Sequence, residues 1–378
     1  MIKLYFIIQT INNEILDILS DIDTALNKYK EAYDFSYLSM QISQKYGDLA
    51  GQAKAANIMA NYANPWIKPI KESEYINKTG IQSALDSGEF LHGSYSALHY
   101  VINSFYQGKL INTIYNEYNN YLQFSTRAKN HMAIDTINGA AIALSNLLGK
   151  SSDRYNFSNN DLTEEMYLNI CKEHQSLYPV GIYKTIKIGI LFIYENYQEA
   201  LDLVNEVKSI LPFFAGINSV AEHNFYHSLI LCALYKSFDK KVREESLVII
   251  KNNQKQMKTW ADNCPENFLH KYLLVEAELA NLSYKNWKAA KLYDEAIVEA
   301  RKNDFIQNEA IANDLAGKFY YNKKNYKTAQ EYFYSAYQKF ENWGAQHKIE
   351  ILKIFIIFFS LNFIINHFLF LKHTLNIK

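Results

Sequence analysis

The sequence predicts an all-α fold of antiparallel helix pairs, and three observations carry that prediction. Apolar residues recur at helical spacing: Phe268, Tyr272, Val275, Leu279 and Leu282 fall at i, i+4, i+7, i+11 and i+14, one stripe of a helix. Phe225, Leu229, Cys232 and Ala233 make a second stripe. No stretch alternates apolar and polar residues between Asn-Gly or Asp-Gly turns, as a strand hairpin requires. With 5 prolines and 13 glycines in 378 residues, turn formers are too scarce for a sheet-rich chain.

Composition sets further bounds. A chain of 378 residues is two or three ordinary domains or one long repeat array. The 39 basic and 39 acidic side chains cancel, which argues against a dedicated nucleic-acid binder. Cys171, Cys232 and Cys264 are too few for a disulfide framework and point to a reducing, cytoplasmic setting. A hydrophobic content of 49% excludes disorder. Heavy use of Ile, Asn, Lys, Tyr and Phe matches AT-rich coding DNA, so part of the bias belongs to the nucleotides.

Taken in order, the chain opens with a short apolar stretch, Met1–Ile11, interrupted at Gln9 and lacking a small-x-small cleavage site. It reads as a first buried helix and not as a secretory signal. Residues 1–149 form an N-terminal helical repeat subdomain. Residues 150–162, rich in Ser, Asn and Asp, form a linker loop, after which Asp161 or Thr163 can cap the next helix. Weaker breaks stand at Asn64-Pro65, at Leu211-Pro212 with Gly216, and at Asn263-Cys264-Pro265.

Residues 163–350 form a C-terminal repeat subdomain. Three of its segments share aromatic-x-x-Ala at the start of a second helix: Tyr197 with Ala200, Trp287 with Ala290, and Tyr326 with Ala329. The alanine lets helices approach and the ring is expected to fill the hole left by the neighbouring unit. Ahead of Tyr326, Ala312-x-x-Leu315-Ala316-x-x-Phe319 fits the first helix of a tetratricopeptide unit, and Ala336 adds a second close contact after Ala329. The fold expected is therefore a tetratricopeptide-like antiparallel helix-pair superhelix. Trp287 and Tyr326 lie 39 positions apart, which exceeds the tetratricopeptide period of about 34.

Residues 351–378 are an apolar tail. From Ile354 to Leu371 it approaches the ~20 residues that span a bilayer, but Asn362, Asn366 and His367 weaken that reading. After Glu350 the chain has no Asp, Glu, Gly, Ala, Val or Pro. A non-native reading frame, a membrane anchor through 354–371 and a buried capping helix all stay open.

Candidate chemistry is sparse. Gly149-Lys150-Ser151 resembles the end of a P-loop, but position 144 is Leu where that motif needs Gly, and Ala140–Leu148 reads as helix. Gly149 is expected to end that helix. His223 and His227 have the i, i+4 spacing of metal ligands, yet Asn224 breaks the HExxH pattern, and surface or half-buried aromatic packing is the expectation. Cys264 with His270 suggests a nucleophile and base, but Pro265-Glu266 suits a capped helix start. Kinase signatures are absent. No catalytic, cofactor-binding or metal residue is assigned, and no cofactor is expected.

Three blocks carry a family likeness: Phe213–Leu229, Lys255–Tyr272, and a run from Asn286-Trp287 through Tyr293-Asp294, Phe305-Ile306 and Glu309-Ala310 to Lys318-Phe319-Tyr320. Together they resemble the helical middle of large bacterial multidomain signalling kinases. Such proteins join a Ser/Thr kinase, a P-loop ATPase, a tetratricopeptide-like region, a GAF domain and a sensor histidine kinase. The likeness is specific over 213–345 and weaker over 53–149, where Tyr95–Tyr100 and Ala141–Gly149 carry it. The family's ATP-binding, kinase and phosphoacceptor residues lie outside it, so none transfers. His223 and His227 stand where aromatic residues are expected, and the likeness ends after Trp343-Gly344-Ala345.

The resemblance implies a non-catalytic segment for protein interaction and inter-domain signal transmission. Its partners would be a protein or peptide, or flanking kinase, ATPase or GAF domains, with no nucleic acid. The missing downstream domains make a truncated or frameshifted remnant the expectation. The alternative is a free-standing peptide- or protein-binding module, membrane-associated through its tail.

Overall fold

The structure, a computed structural model, describes residues 28–356. The opening stretch Met1–Ile11 and most of the apolar tail lie outside the described residues. The helices are α1 (Tyr29–Tyr46), α2 (Leu49–Ile58), α3 (Glu72–Ser87), α4 (Phe90–Gln107), α5 (Ile111–Arg127), α6 (His131–Leu147), α7 (Glu164–Glu173) and α8 (Leu177–Ile193). There follow α9 (Tyr197–Lys208), α10 (Ser219–Leu234), α11 (Lys240–Asn263), α12 (Pro265–Leu282), α13 (Asn286–Lys302), α14 (Ile306–Asn322) and α15 (Tyr326–Trp343). A last helical stretch covers 346–356. The proline breaks are short 3-10 turns at Asn64–Trp66 and Leu211–Phe214, and Pro265 opens α12. No strand occurs among the described residues, so the all-α reading stands.

One turn recurs throughout. Lys129, Gln175, Glu195, Tyr284, Asp304 and Lys324 all have φ between 54° and 66°, and Gly47, Gly88 and Gly344 hold the same place elsewhere. Except at Gly88, where Glu89 N–H turns to the Ser87 hydroxyl, the residue after each donates its N–H to a carbonyl five positions back, as Lys285 does to Ala280 (2.9 Å) and Asn325 to Tyr320 (3.0 Å). Those bonds satisfy carbonyls that the helix end would leave bare. Tyr284, Asp304, Lys324 and Gly344 fall at intervals of 20 residues, so each helix pair repeats after 40.

This register corrects the alanine motif. Ala200, Ala289 and Ala329 each stand five residues past a left-handed turn residue, and all three are fully buried. The anchor in α13 is therefore Ala289, while Ala290 is only partly buried. Two of the three rings do not fill neighbouring holes as expected, Trp287 being 80% and Tyr326 51% exposed, whereas Tyr197 is partly buried with its ring 5.4 Å from that of Phe192. Trp287 and Tyr326 sit in the first turn of their helices. Ala233, placed on the buried stripe of α10 from sequence, is also exposed.

Packing sorts the helices by parity. The even-numbered helices from α2 to α14 contact one another in succession, and each odd-numbered helix packs on its even neighbours. Burial follows: α6 buries 13 of its 17 residues, α13 only 5 of 17. Residues 150–162 form the loop between α6 and α7, and α6 packs directly on α8 across it. Thr163, not Asp161, caps α7, accepting from the Met166 N–H at 3.2 Å.

The chain also closes on itself. Trp66 stacks between Tyr29 and Phe268, with ring centroids 5.3 and 5.4 Å away, and donates to the Gly216 carbonyl at 2.8 Å. Trp260 donates to the Tyr29 hydroxyl at 2.8 Å. Asn267 accepts from Ile70 N–H and donates to the carbonyls of Pro65 and Lys68. Gln307 donates to the Tyr106 carbonyl at 2.7 Å. The first helices are thus fastened to the middle of the chain and α4 to α14.

Candidate functional site

The motifs singled out in sequence occupy structural places. Gly149 (φ 68°) ends α6, its N–H reaching Asn146 O and that of Lys150 reaching Ser145 O, both at 3.0 Å. The Lys150 ammonium lies 3.9 Å from the centre of the Tyr115 ring, so the lysine faces an aromatic side chain.

His223 and His227 pack edge to face on α10, ring centres 5.8 Å apart, and His223 Nε2 donates to Val204 O at 3.4 Å. Burial brings both down to about 4, with the neighbouring His223 and Lys208 charges adding to the effect at His227. Both rings are neutral at pH 7. No group of three or more His, Cys, Asp or Glu suited to a metal lies among the described residues.

Cys264 and His270 have separate partners. The thiol lies 3.6 Å from Glu266 Oε2 and burial pushes it up to about 12, the opposite of an activated nucleophile. His270 sits 2.7 Å from Asn308 Nδ2 with its ring against Phe305, and burial holds its pKa well below the usual value.

Two buried ionic groups escaped the sequence reading. Lys271 of α12 pairs with Glu222 of α10, both almost wholly buried, and the ammonium lies over the Phe305 ring. In the second, Lys318 and Lys348 each bridge Glu195 and Asp314, with N–O distances of 2.9–3.2 Å. Burial opposes ionisation of both carboxyls, yet the two lysine charges overcome it and hold them below their ordinary range. This network ties the last helical stretch to the α8–α9 turn and to α14.

The remaining feature is a face. The ends of α10, α12 and α14 meet the final stretch around a cleft of about 410 Å³, lined by apolar Leu282, Leu315, Phe333 and Phe355 and by charged Lys236, Lys318, Glu195 and Glu278. Beside it, Tyr284 is 76% and Trp287 80% exposed. The Lys323 ammonium lies 5.8 Å from the Tyr284 ring, joining the α12–α13 turn to the α14–α15 turn, where Tyr321 and Tyr326 pack edge to face. Residues 279–293 and 315–330, which build this face, contain seven lysines and no Asp or Glu. That composition was the available signal, hidden by the neutral total.

No protein-family model matches this chain, and no curated protein matches it.

Proposed function

We propose that this chain is a non-catalytic, tetratricopeptide-like helical-repeat segment of a multidomain bacterial signalling protein of the Ser/Thr and histidine kinase kind. It serves protein docking and inter-domain signal transmission. The observation that carries the reading is the turn repeated at Tyr284, Asp304, Lys324 and Gly344, which makes successive 40-residue helix pairs. The sequence resemblance over 213–345 covers these same pairs. Stacked pairs of this kind share interfaces with their neighbours, so a displacement of one repacks the next. Here the last stretch is held by Lys348, fully buried between Glu195 and Asp314, so a pull on the C-terminal side reaches α8, α9 and α14 directly. The apolar cleft at Leu282, Leu315 and Phe333 suits an extended segment of a partner or flanking domain.

The test has two arms. The purified chain should neither hydrolyse ATP nor autophosphorylate above a heat-treated control; activity above it removes the non-catalytic reading. Peptides selected from a random library on the immobilised chain should lose at least tenfold in affinity for Leu282→Arg at unchanged melting temperature. Equal binding to the variant removes the cleft as the dock.

A further inference from the structure

We propose that the aromatic and lysine-rich face beside the cleft rests on an anionic membrane surface. Tyr284, Trp287 and Tyr326 would enter the headgroup layer and the lysines around them would meet the lipid charge. The proposal goes beyond protein docking and does not require the cleft to be filled.

Two independent observations support it. The first is the chemistry of the face. Trp and Tyr carry an apolar ring with a polar tip, the combination favoured at a membrane–water boundary. Here three such rings stand largely in water, at 76%, 80% and 51% exposure, on adjoining turns. Lys285, Lys288, Lys324 and Lys327 are exposed around them, and none has an ion pair among the described residues. Juxtamembrane lysines of this kind are drawn to anionic lipid.

The second is the direction of the chain. The last helical stretch carries Phe355 into the cleft at this same end of the molecule, and Ile354 beside it is 70% exposed. The apolar sequence of 354–371 therefore begins at the lysine-rich face. No helix among the described residues is long and apolar enough to cross a membrane. An acidic macromolecule meets the same lysines but offers the exposed rings of Tyr284, Trp287 and Tyr326 no apolar layer to enter.

The protein carries a built-in reporter. Of its four tryptophans, Trp66, Trp260 and Trp343 are at most 4% exposed, so Trp287 alone is open to solvent. The full chain is mixed with vesicles of phosphatidylcholine, with and without about a third phosphatidylserine, and binding is read by sedimentation. Tryptophan emission is read with brominated lipids as quenchers. Binding should require phosphatidylserine and fall at high salt. Emission should shift to the blue and be quenched, and Trp287→Phe should abolish the quenching while leaving binding largely intact. Exchanging Lys285, Lys288, Lys324 and Lys327 for Gln should weaken partition about fivefold for each lysine removed. Binding with Trp287 unquenched and the lysine variants unchanged would assign the affinity to the tail and overturn the proposal. So would absence of vesicle binding, or a preference for RNA or acidic peptides over vesicles. Each of these leaves the Leu282→Arg result untouched, so the docking reading stands or falls separately.

Discussion

Trp66 and Trp287 are the same residue used in opposite ways. Trp66 is 2% exposed, clamped by Tyr29, Trp260 and Phe268 where the chain closes on itself; Trp287 is 80% exposed with only Lys291 over its ring. Residue type does not separate them. Position does: Trp66 ends a 3-10 turn directed into the interior, whereas Trp287 occupies the first turn of α13, two residues ahead of the buried anchor Ala289.

The strongest way to break this comparison is to truncate both rings. Trp66→Ala should cost about 3–5 kcal/mol of unfolding free energy, the range for large aromatic residues in a core. Trp287→Ala should stay within about 0.5 kcal/mol, as surface changes do. Urea denaturation followed by far-UV circular dichroism measures both, and equal losses would refute the assignment.

Lys271 sharpens the interior side. Lys271→Met strands the Glu222 carboxylate and should cost about 3–5 kcal/mol, whereas adding Glu222→Leu should recover much of the loss, because the unpaired charge and not the missing pair is what destabilises.

Acid titration probes the interior in another way. His223 and His227 take up protons near pH 6.5 when unfolded but only near 4 when folded. The unfolded state therefore binds more protons between those values. Stability is full above about pH 6.5 and falls as pH drops through the window, by at most about 1.4 kcal/mol per pH unit for each ring. The double variant His223→Phe, His227→Phe should show a shallower loss between pH 6.5 and 5, before most carboxylates titrate. An unchanged slope would place the protonation elsewhere.

The smallest effects belong to the turns. Gly88 has φ 81° with open space where a Cβ would stand, so Gly88→Ala should cost about 1 kcal/mol from backbone strain alone. Lys324→Gly should do the reverse and raise stability by about half that, since relief of strain is partly offset by the freedom glycine gains when unfolded. Paired thermal melts would register both signs.

These positions also show what could be read from sequence. The helices were legible because stripes such as Phe268, Val275 and Leu279 survive any detail of packing. Gly149 was legible as a helix end, since a glycine after a long apolar periodic run has few other uses. The register of α13 was not, because Ala289 and Ala290 are adjacent and only the turn at Tyr284, a residue with no preference for the left-handed region, decides between them. Closure through Trp66, Gly216 and Asn267 joins positions 150 to 202 residues apart, which no local pattern encodes. The lysine-rich face was written in the sequence but distributed over two stretches that only the hairpins bring together.

The 20-residue spacing of the turns restricts how such a chain can change length. One residue added inside α13 or α14 would rotate everything beyond it by about 100°, exchanging buried for exposed positions up to the next turn. Small insertions are therefore confined to places without this periodicity, chiefly residues 150–162 and the turn before α11. Between Tyr284 and Gly344 the array can gain or lose material only as whole 40-residue pairs, which keep Ala289 and Ala329 in phase with their turns. Relatives of this chain should accordingly differ in number of hairpins far more readily than in the length of any one.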